Sequence, residues 1–189
     1  MNTVEEFQQR LMTQATLAFP GRKMVLGEGV LGGKICMIGE APGAEEEKQG
    51  HPFVGKAGKN LTEFLNAVGL NRDDLYITNV VKIRPFRLSP KTGKPINRPP
   101  DTQEKGFFTP FLLEELDIVN AEYIVTLGNV PLKAVMQKEA ITIGEVHGRL
   151  LISPSGKKVF PLYHPAAVIY NQKLSAVYGE DLQKLKQLL

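Results

Sequence analysis

The sequence predicts an α/β fold, a three-layer α/β/α sandwich around a mostly parallel sheet of roughly four strands. Three observations lead there. Short apolar, β-branched runs alternate with longer stretches of helical periodicity. The runs are separated by helix-length segments, as parallel strands require. The 189 residues, 42% of them hydrophobic, suit a single domain over residues 1–189 with a sizeable core.

The elements follow in chain order. Phe7, Leu11, Ala15 and Ala18 share one face, which predicts a helix over residues 4–18, broken by Phe19-Pro20-Gly21. The apolar run from Lys34 to Ile38 is a buried strand that stops at Gly39. Leu61, Phe64, Leu65 and Val68 form the stripe of a helix over residues 57–68, closed by Gly69. Residues 75–81 are β-branched and aromatic, a second strand. A Pro-rich loop fills residues 85–100. Asp101, with Glu104 three residues on, caps a helix reaching about Val119. Residues 123–127 make a third strand ending at Gly128, and Pro131 sits in the first turn of a short helix. Residues 150–152 and 159–163 are strands joined by Ser153-Pro154-Ser155-Gly156. The tail from about Tyr178 is a last helix.

Charge and cysteine content narrow the function. The net charge is +3, compatible with a nucleic-acid partner without demanding one. Its distribution says more: residues 82–98 carry Lys82, Arg84, Arg87, Lys91, Lys94 and Arg98 and no acid, whereas Glu45-Glu46-Glu47 is an acidic cluster. Cys36 is the sole cysteine, which excludes an internal disulfide and any thiolate cage for zinc or iron–sulfur. No metal-ligand spacing occurs. No apolar run is long enough to span a bilayer. The start, Met1-Asn2-Thr3-Val4-Glu5-Glu6, lacks the basic-then-apolar pattern of a secretory leader, so a cytoplasmic protein is expected.

The residues interrupting the apolar runs fall at the carboxyl ends of strands: Glu40, Asn79, Gly128 and His164. Open α/β sheets bind ligands there, so these four segments are expected to converge on one pocket. One competing motif lies nearby. Residues 50–57 nearly match a phosphate-binding loop, but Ala57 stands where a hydroxyl should meet magnesium, and the segment does not follow directly on a strand.

Taken as an ordered set, the motifs resemble the family 4 uracil-DNA glycosylases. They are Gly39-Glu40-Ala41-Pro42-Gly43, Gly50-His51-Pro52-Phe53-Val54-Gly55-Lys56-Ala57-Gly58, Tyr76-Ile77-Thr78-Asn79-Val80-Val81-Lys82, Asn97-Arg98-Pro99-Pro100, Thr126-Leu127-Gly128 and Tyr163-His164-Pro165-Ala166. The likeness runs from about Gly27 to the C-terminus. There are two departures. The family holds an iron–sulfur cluster on four cysteines, two before Gly27, one where this chain has Ile83 and one near Phe108. None is present here, so the cluster is expected to be absent, with apolar residues in its place. An insertion of about ten residues, 87–96, also separates Arg84-Pro85 from Asn97-Arg98, and is expected to take over part of the DNA-contacting surface.

The resemblance implies roles for single residues. Asn79 reads the flipped uracil, its carboxamide offering a donor and an acceptor to N3 and O4. Phe53 stacks on the base. His164 stabilises the negative charge that builds on the leaving uracil. Gly39 and Ala41 frame the pocket, and Glu46 stands beside it to help block a thymine methyl. Glu40 positions water or offsets the cationic sugar. Related families carry a water-orienting Asp one place later, where this chain has Ala41. Lys56, Lys82, Arg84 and Arg98 are candidate phosphate contacts. Val168 or Ile169 would be an apolar wedge in the base stack. His51 and His147 read as structural. The implied partner is uracil-containing DNA, met by a monomer that needs no cofactor. A glycosylase for hypoxanthine, xanthine or mismatched thymine, and a DNA-binding relative without catalysis, are the alternatives.

Overall fold

The computed structural model describes residues 3–189; Met1 and Asn2, part of the stretch read for a leader, lie outside the described residues. Helix α1 (Val4–Ala18) matches the predicted span, and Thr3 and Glu6 cap it reciprocally. The two-residue β1 (Glu28–Gly29) precedes β2 (Ile35–Gly39). Next come α2 (Ala44–Gln49), α3 (Lys56–Ala67) and β3 (Tyr76–Asn79). The Pro-rich segment holds a hairpin of β4 (Phe86–Leu88) and β5 (Pro95–Asn97) where only a loop was expected. Helix α4 (Thr102–Val119) starts at the Asp101–Glu104 capping box. Strand β6 (Tyr123–Leu127), α5 (Asn129–Met136) and α6 (Ile143–Val146) follow. Strands β7 (Leu151–Ile152) and β8 (Lys158–Leu162) lead to α7 (Pro165–Tyr170) and α8 (Gln172–Leu188). The last helix starts six residues before its expected point because the Asn171 side chain caps it, accepting from Lys173 N–H.

The main sheet has six strands in the order β1-β3-β2-β6-β8-β7. Its centre, β3-β2-β6-β8, is parallel throughout, which is the four-strand core expected. The two short outer strands pair antiparallel and finish the edges. Alternation along the buried strands sends side chains to both faces. Cys36, Ile38, Tyr76, Ile124 and Val159 pack with Phe7, Leu11, Phe108, Leu112 and Leu116 of α1 and α4. Ile35, Met37, Ile77, Val125 and Phe160 pack on the other face with Leu61, Leu65, Val168, Tyr178 and Leu182 of α3, α7 and α8. The three layers follow from this division.

The parallel order also positions the site. From β2 the chain crosses to β3 on one side, then returns past β2 to β6 on the other. The loops after β2 and β6 therefore diverge, which opens a crevice at the carboxyl ends. Gly39 pairs with Asn79, Ile38 with Thr126, and Leu127 with Leu162, so the four strand ends lie side by side.

Candidate active site

A cleft of about 350 Å³ opens at those strand ends, and Ala41, Glu46, Phe53, Lys56, Asn79 and His164 are among its lining residues. Glu40 and Arg98 line an adjoining recess that also reaches His164. The convergence read from the sequence is thus borne out for the β2, β3 and β8 ends. The end of β6 contributes indirectly. Gly128 has φ +94°, and a Cβ there would press on His164 Cβ at 3.3 Å.

Asn79 is 3% exposed. Its backbone carbonyl accepts from Lys82 Nζ at 2.5 Å, while no described residue hydrogen-bonds its carboxamide, which faces the cleft. Gly39 is a glycine for a local reason: a Cβ there would overlap both Asn79 Oδ1 and the Phe53 ring. These two side chains therefore meet over bare backbone.

Phe53 is one of few non-glycine residues with positive φ, at +53°, a conformation that an aromatic adopts at a cost. One neighbour leaves room for it and another holds it. A Cβ on Gly58 would overlap the Phe53 carbonyl. The Arg72 guanidinium donates to Phe53 O at 2.7 Å, Pro52 O at 2.8 Å and Thr62 Oγ1 at 3.2 Å. The ring lies 6.1 Å from the His164 ring, tilted 33°.

His164 is the N-cap of α7, and its Nδ1 accepts from Ala166 N–H at 3.1 Å. An accepting Nδ1 carries no proton, so a neutral ring holds its proton on Nε2. Burial pushes the His164 pKa below the ordinary histidine value, and the Glu46 carboxylate opposes this only partly. The site therefore offers a neutral N–H donor.

Glu46 bridges the two loops that form the cleft wall. Its Oε2 accepts from Gly43 N–H at 3.1 Å and its Oε1 from Gly55 N–H at 2.8 Å. Among the described residues Glu40 has no such partner; burial raises its carboxyl pKa, partly offset by Lys105.

Some expected contacts are corrected. Lys82 is fully buried. Its Nζ donates to Glu115 Oε2 at 2.6 Å and to Thr78 Oγ1 at 2.6 Å, so it cannot reach a phosphate. Arg84 is 9% exposed and tied to Asn97 Oδ1 at 2.8 Å and Glu47 at 3.3 Å. Arg98 forms a two-pronged pair with Glu104, both contacts 2.8 Å. Both arginines are thus held by protein rather than left free for DNA. Val168 is 3% exposed in the core beneath α7, which removes it as a wedge. Ile169 is half-buried. The 50–57 segment follows α2, not a strand, and carries Phe53 into the cleft, so it is no phosphate cradle.

Residues 26–186 match the family described as the uracil DNA glycosylase superfamily. The chain belongs to the uracil DNA glycosylase superfamily. This superfamily member is 39% identical to a type-4 uracil-DNA glycosylase of Thermotoga maritima over 168 residues, 88% of this chain and 83% of the relative. It is 40% identical to a type-4 uracil-DNA glycosylase of Sulfurisphaera tokodaii over 171 residues, 87% of this chain and 74% of the relative. A third, from Saccharolobus solfataricus, is 39% identical over 175 residues.

Three contributors to this glycosylase-superfamily site escaped sequence reading. Arg72, in a short 3-10 turn, reaches back 19 residues to hold Phe53. Glu115 sits mid-helix in α4 and is 1% exposed; it receives Lys82, Thr78 and, at 3.0 Å, the Tyr76 hydroxyl. Asn97, quoted only as part of a motif, lines both cleft and recess. Glu115 gave a usable signal, an acid among apolar neighbours on a buried helix face; Arg72 gave none.

Proposed function

We propose that this chain excises uracil from DNA by hydrolysing its N-glycosidic bond and leaving an abasic site. The observation that carries this reading is the meeting of Phe53, Asn79 and His164 in one cleft. A base inside a duplex is out of reach, so the nucleotide must rotate out of the stack to enter. Phe53, fixed by Arg72 and Gly58, supplies a stacking surface. The unpartnered Asn79 carboxamide offers a donor to O4 and an acceptor to the N3 proton.

The C1′–N1 bond breaks with its electron pair going to the base. Charge then collects on uracil O2, and the sugar becomes cationic. The neutral His164 ring can donate its Nε2 proton as a hydrogen bond to that oxygen. Such a donor stabilises the transition state more than the ground state, which is what accelerates the step. Water adds to C1′, and its proton passes through solvent to the departing uracil anion, so that neutral uracil and the abasic sugar's hydroxyl are the products. Glu40, beside His164 in the adjoining recess, is the carboxylate we assign to orient that water and to face the cationic sugar. Gly39 and Ala41 serve as frame. Glu46 acts on the pocket through the loops it ties together, beside its assigned place against a thymine methyl. Lys56, which lines the cleft, and Ile169 of α7 remain the residues we assign to contact the DNA strand.

We also read the chain as a type-4-like enzyme working without an iron–sulfur cluster. Such a cluster takes four thiolates, and the one cysteine, Cys36, is buried in β2 with its thiol pKa pushed up by desolvation. The residues at the expected ligand positions do not fit the group: Ile83 and Phe108 are fully buried, and Phe19 stacks on Phe108 at 5.6 Å. A cytoplasmic monomer completes the reading; among the described residues no helix is long and apolar enough to cross a membrane.

The test is alkali-induced strand scission of a uracil-containing oligonucleotide, beside hypoxanthine, xanthine and G·T substrates. Uracil should be released. Asn79→Ala and His164→Ala should each lose at least about 100-fold in rate with unchanged circular dichroism. Folded wild-type protein giving no uracil product would refute the proposal, and release of another base instead would move the substrate.

A further inference from the structure

The β4–β5 hairpin is a built element with free charge. Its register pairs Phe86 with Asn97, Arg87 with Ile96 and Leu88 with Pro95. The tip is closed by two backbone bonds, Ser89 N–H to Lys94 O at 2.8 Å and Gly93 N–H to Ser89 O at 2.9 Å, with Gly93 at φ +66°. The base is braced from inside the protein. Arg84 donates to Asn97 Oδ1 and to Pro95 O, Arg98 donates to Phe86 O at 3.1 Å, and the Arg22 guanidinium lies 4.7 Å over the Phe86 ring. The arginines expected to hold DNA thus hold this arm.

Beyond the base, Arg87, Lys91 and Lys94 are all exposed. Among the described residues, none of the three side chains enters a salt bridge, although Arg84 and Arg98 on either side do. No acid lies between residues 85 and 100. Leu88, 61% exposed, shares a hairpin face with Asn97 by register, and Asn97 lines the cleft.

We infer that this hairpin is a DNA-binding arm: Arg87, on the hairpin face opposite Asn97 by register, and the exposed Lys91 and Lys94 of its turn contact phosphates of the DNA strand that passes alongside the cleft. The inference rests on the glycosylase reading for the identity of that strand. The arm is continuous with the pocket, since β5 ends at the cleft residue Asn97. Arg87 lies in β4 and Lys91 and Lys94 lie in the turn beyond it, so the free cations mark the arm from base to tip, and their sign suits the phosphates of a DNA strand. Leu88 adds an apolar contact for a sugar or base on the cleft side.

The experiment compares the full chain with the R87Q/K91Q/K94Q variant. Anisotropy of a labelled, undamaged 20-mer, single- and double-stranded, is followed from about 50 to 200 mM salt, alongside kcat and KM for uracil release. Neutralising three phosphate contacts should weaken binding about tenfold at 0.1 M salt and make the log–log salt slope shallower by about 2 to 3. KM should rise by a similar factor with kcat unchanged. Equal affinity and slope in the variant would overturn the arm, as would a fall in kcat alone. Circular dichroism checks folding, and K91Q/K94Q, confined to the tip, gives the same readout with a smaller slope change. Wild-type protein that binds DNA through the arm yet releases no base would defeat the glycosylase reading and leave the arm standing. Wild-type protein that releases uracil, with the variant binding equally well, would do the reverse.

Discussion

At His164 the backbone sets the protonation state. Ala166 N–H donates to Nδ1, a bond that an imidazolium could not accept, and burial also penalises the charged ring. The folded pKa is therefore below the unfolded value of about 6.5. Stability from this group is complete above that unfolded value and is lost as pH falls through the folded pKa. Activity should follow the same sign: flat around neutrality, falling on the acid side. Glu40 adds a second acid limb, because burial raises its pKa and protonation removes its charge. The pH profile of kcat for wild type and Glu40→Gln checks this. The variant should keep the His164 limb and lose the other. A rate that climbed as pH dropped from about 7 to 5, across the ordinary histidine range, would mean that the imidazolium is the active donor.

Among the elements, the loop between α2 and α3 depends most on a distant partner. Phe53 stays in the left-handed region because Arg72 ties Phe53 O, Pro52 O and Thr62 together. Arg72→Ala would leave two buried carbonyls without that donor, at a cost of roughly 1–3 kcal/mol each. Thermal melting should show the loss, and KM for uracil DNA should rise more than kcat falls, since stacking is a binding interaction. An unchanged KM would mean that the ring keeps its place without the Arg72 hydrogen bonds. The same loop shows what a sequence can and cannot tell. Periodicity located α1, α3 and β6, and the Asp101–Glu104 pair located α4, because those signals are local. The site residues at strand ends were legible for the same reason: each ends an apolar run. Arg72 and the true state of Lys82 were not, because Arg72 reaches partners 10 to 20 residues away and the carboxylate that takes up Lys82 lies 33 residues away on α4. Lys82 and Arg84 look like phosphate ligands in a basic run and become internal braces only once the helix carrying Glu115 and the hairpin carrying Asn97 fold against them. Val168 failed as a wedge for a simpler reason: α7 is helical, so alternate residues do not point the same way, and Val168 faces α3 and α8.

Across the molecule, the sheet separates an aromatic cluster from the face that carries α3, α7 and α8. Phe107 and Phe108 pack edge-on at 4.9 Å, Phe19 meets both, and Phe7 lies 6.4 Å from Phe111. These contacts join α1 and the segment after it to α4, the same parts of the chain that a four-cysteine cluster would have to tie together. Apolar burial makes this join through ring contacts, provided that the rings are complete. Phe108→Ala removes the ring that both neighbours touch, and should cost about 3–5 kcal/mol, read as a lowered melting temperature and a smaller denaturant midpoint. Uracil release at a temperature where the variant stays folded should be nearly unchanged, because Asn79 and His164 lie at the strand ends, Phe53 in the loop between α2 and α3, and none packs in that cluster. Wild-type protein should purify colourless, and iron chelators should leave its melting temperature where it was. Bound iron in stoichiometric amount, or a melting temperature that fell with chelation, would show that something other than these rings holds α1 to α4. A Phe108→Ala variant as stable as wild type would show that the cluster only fills space.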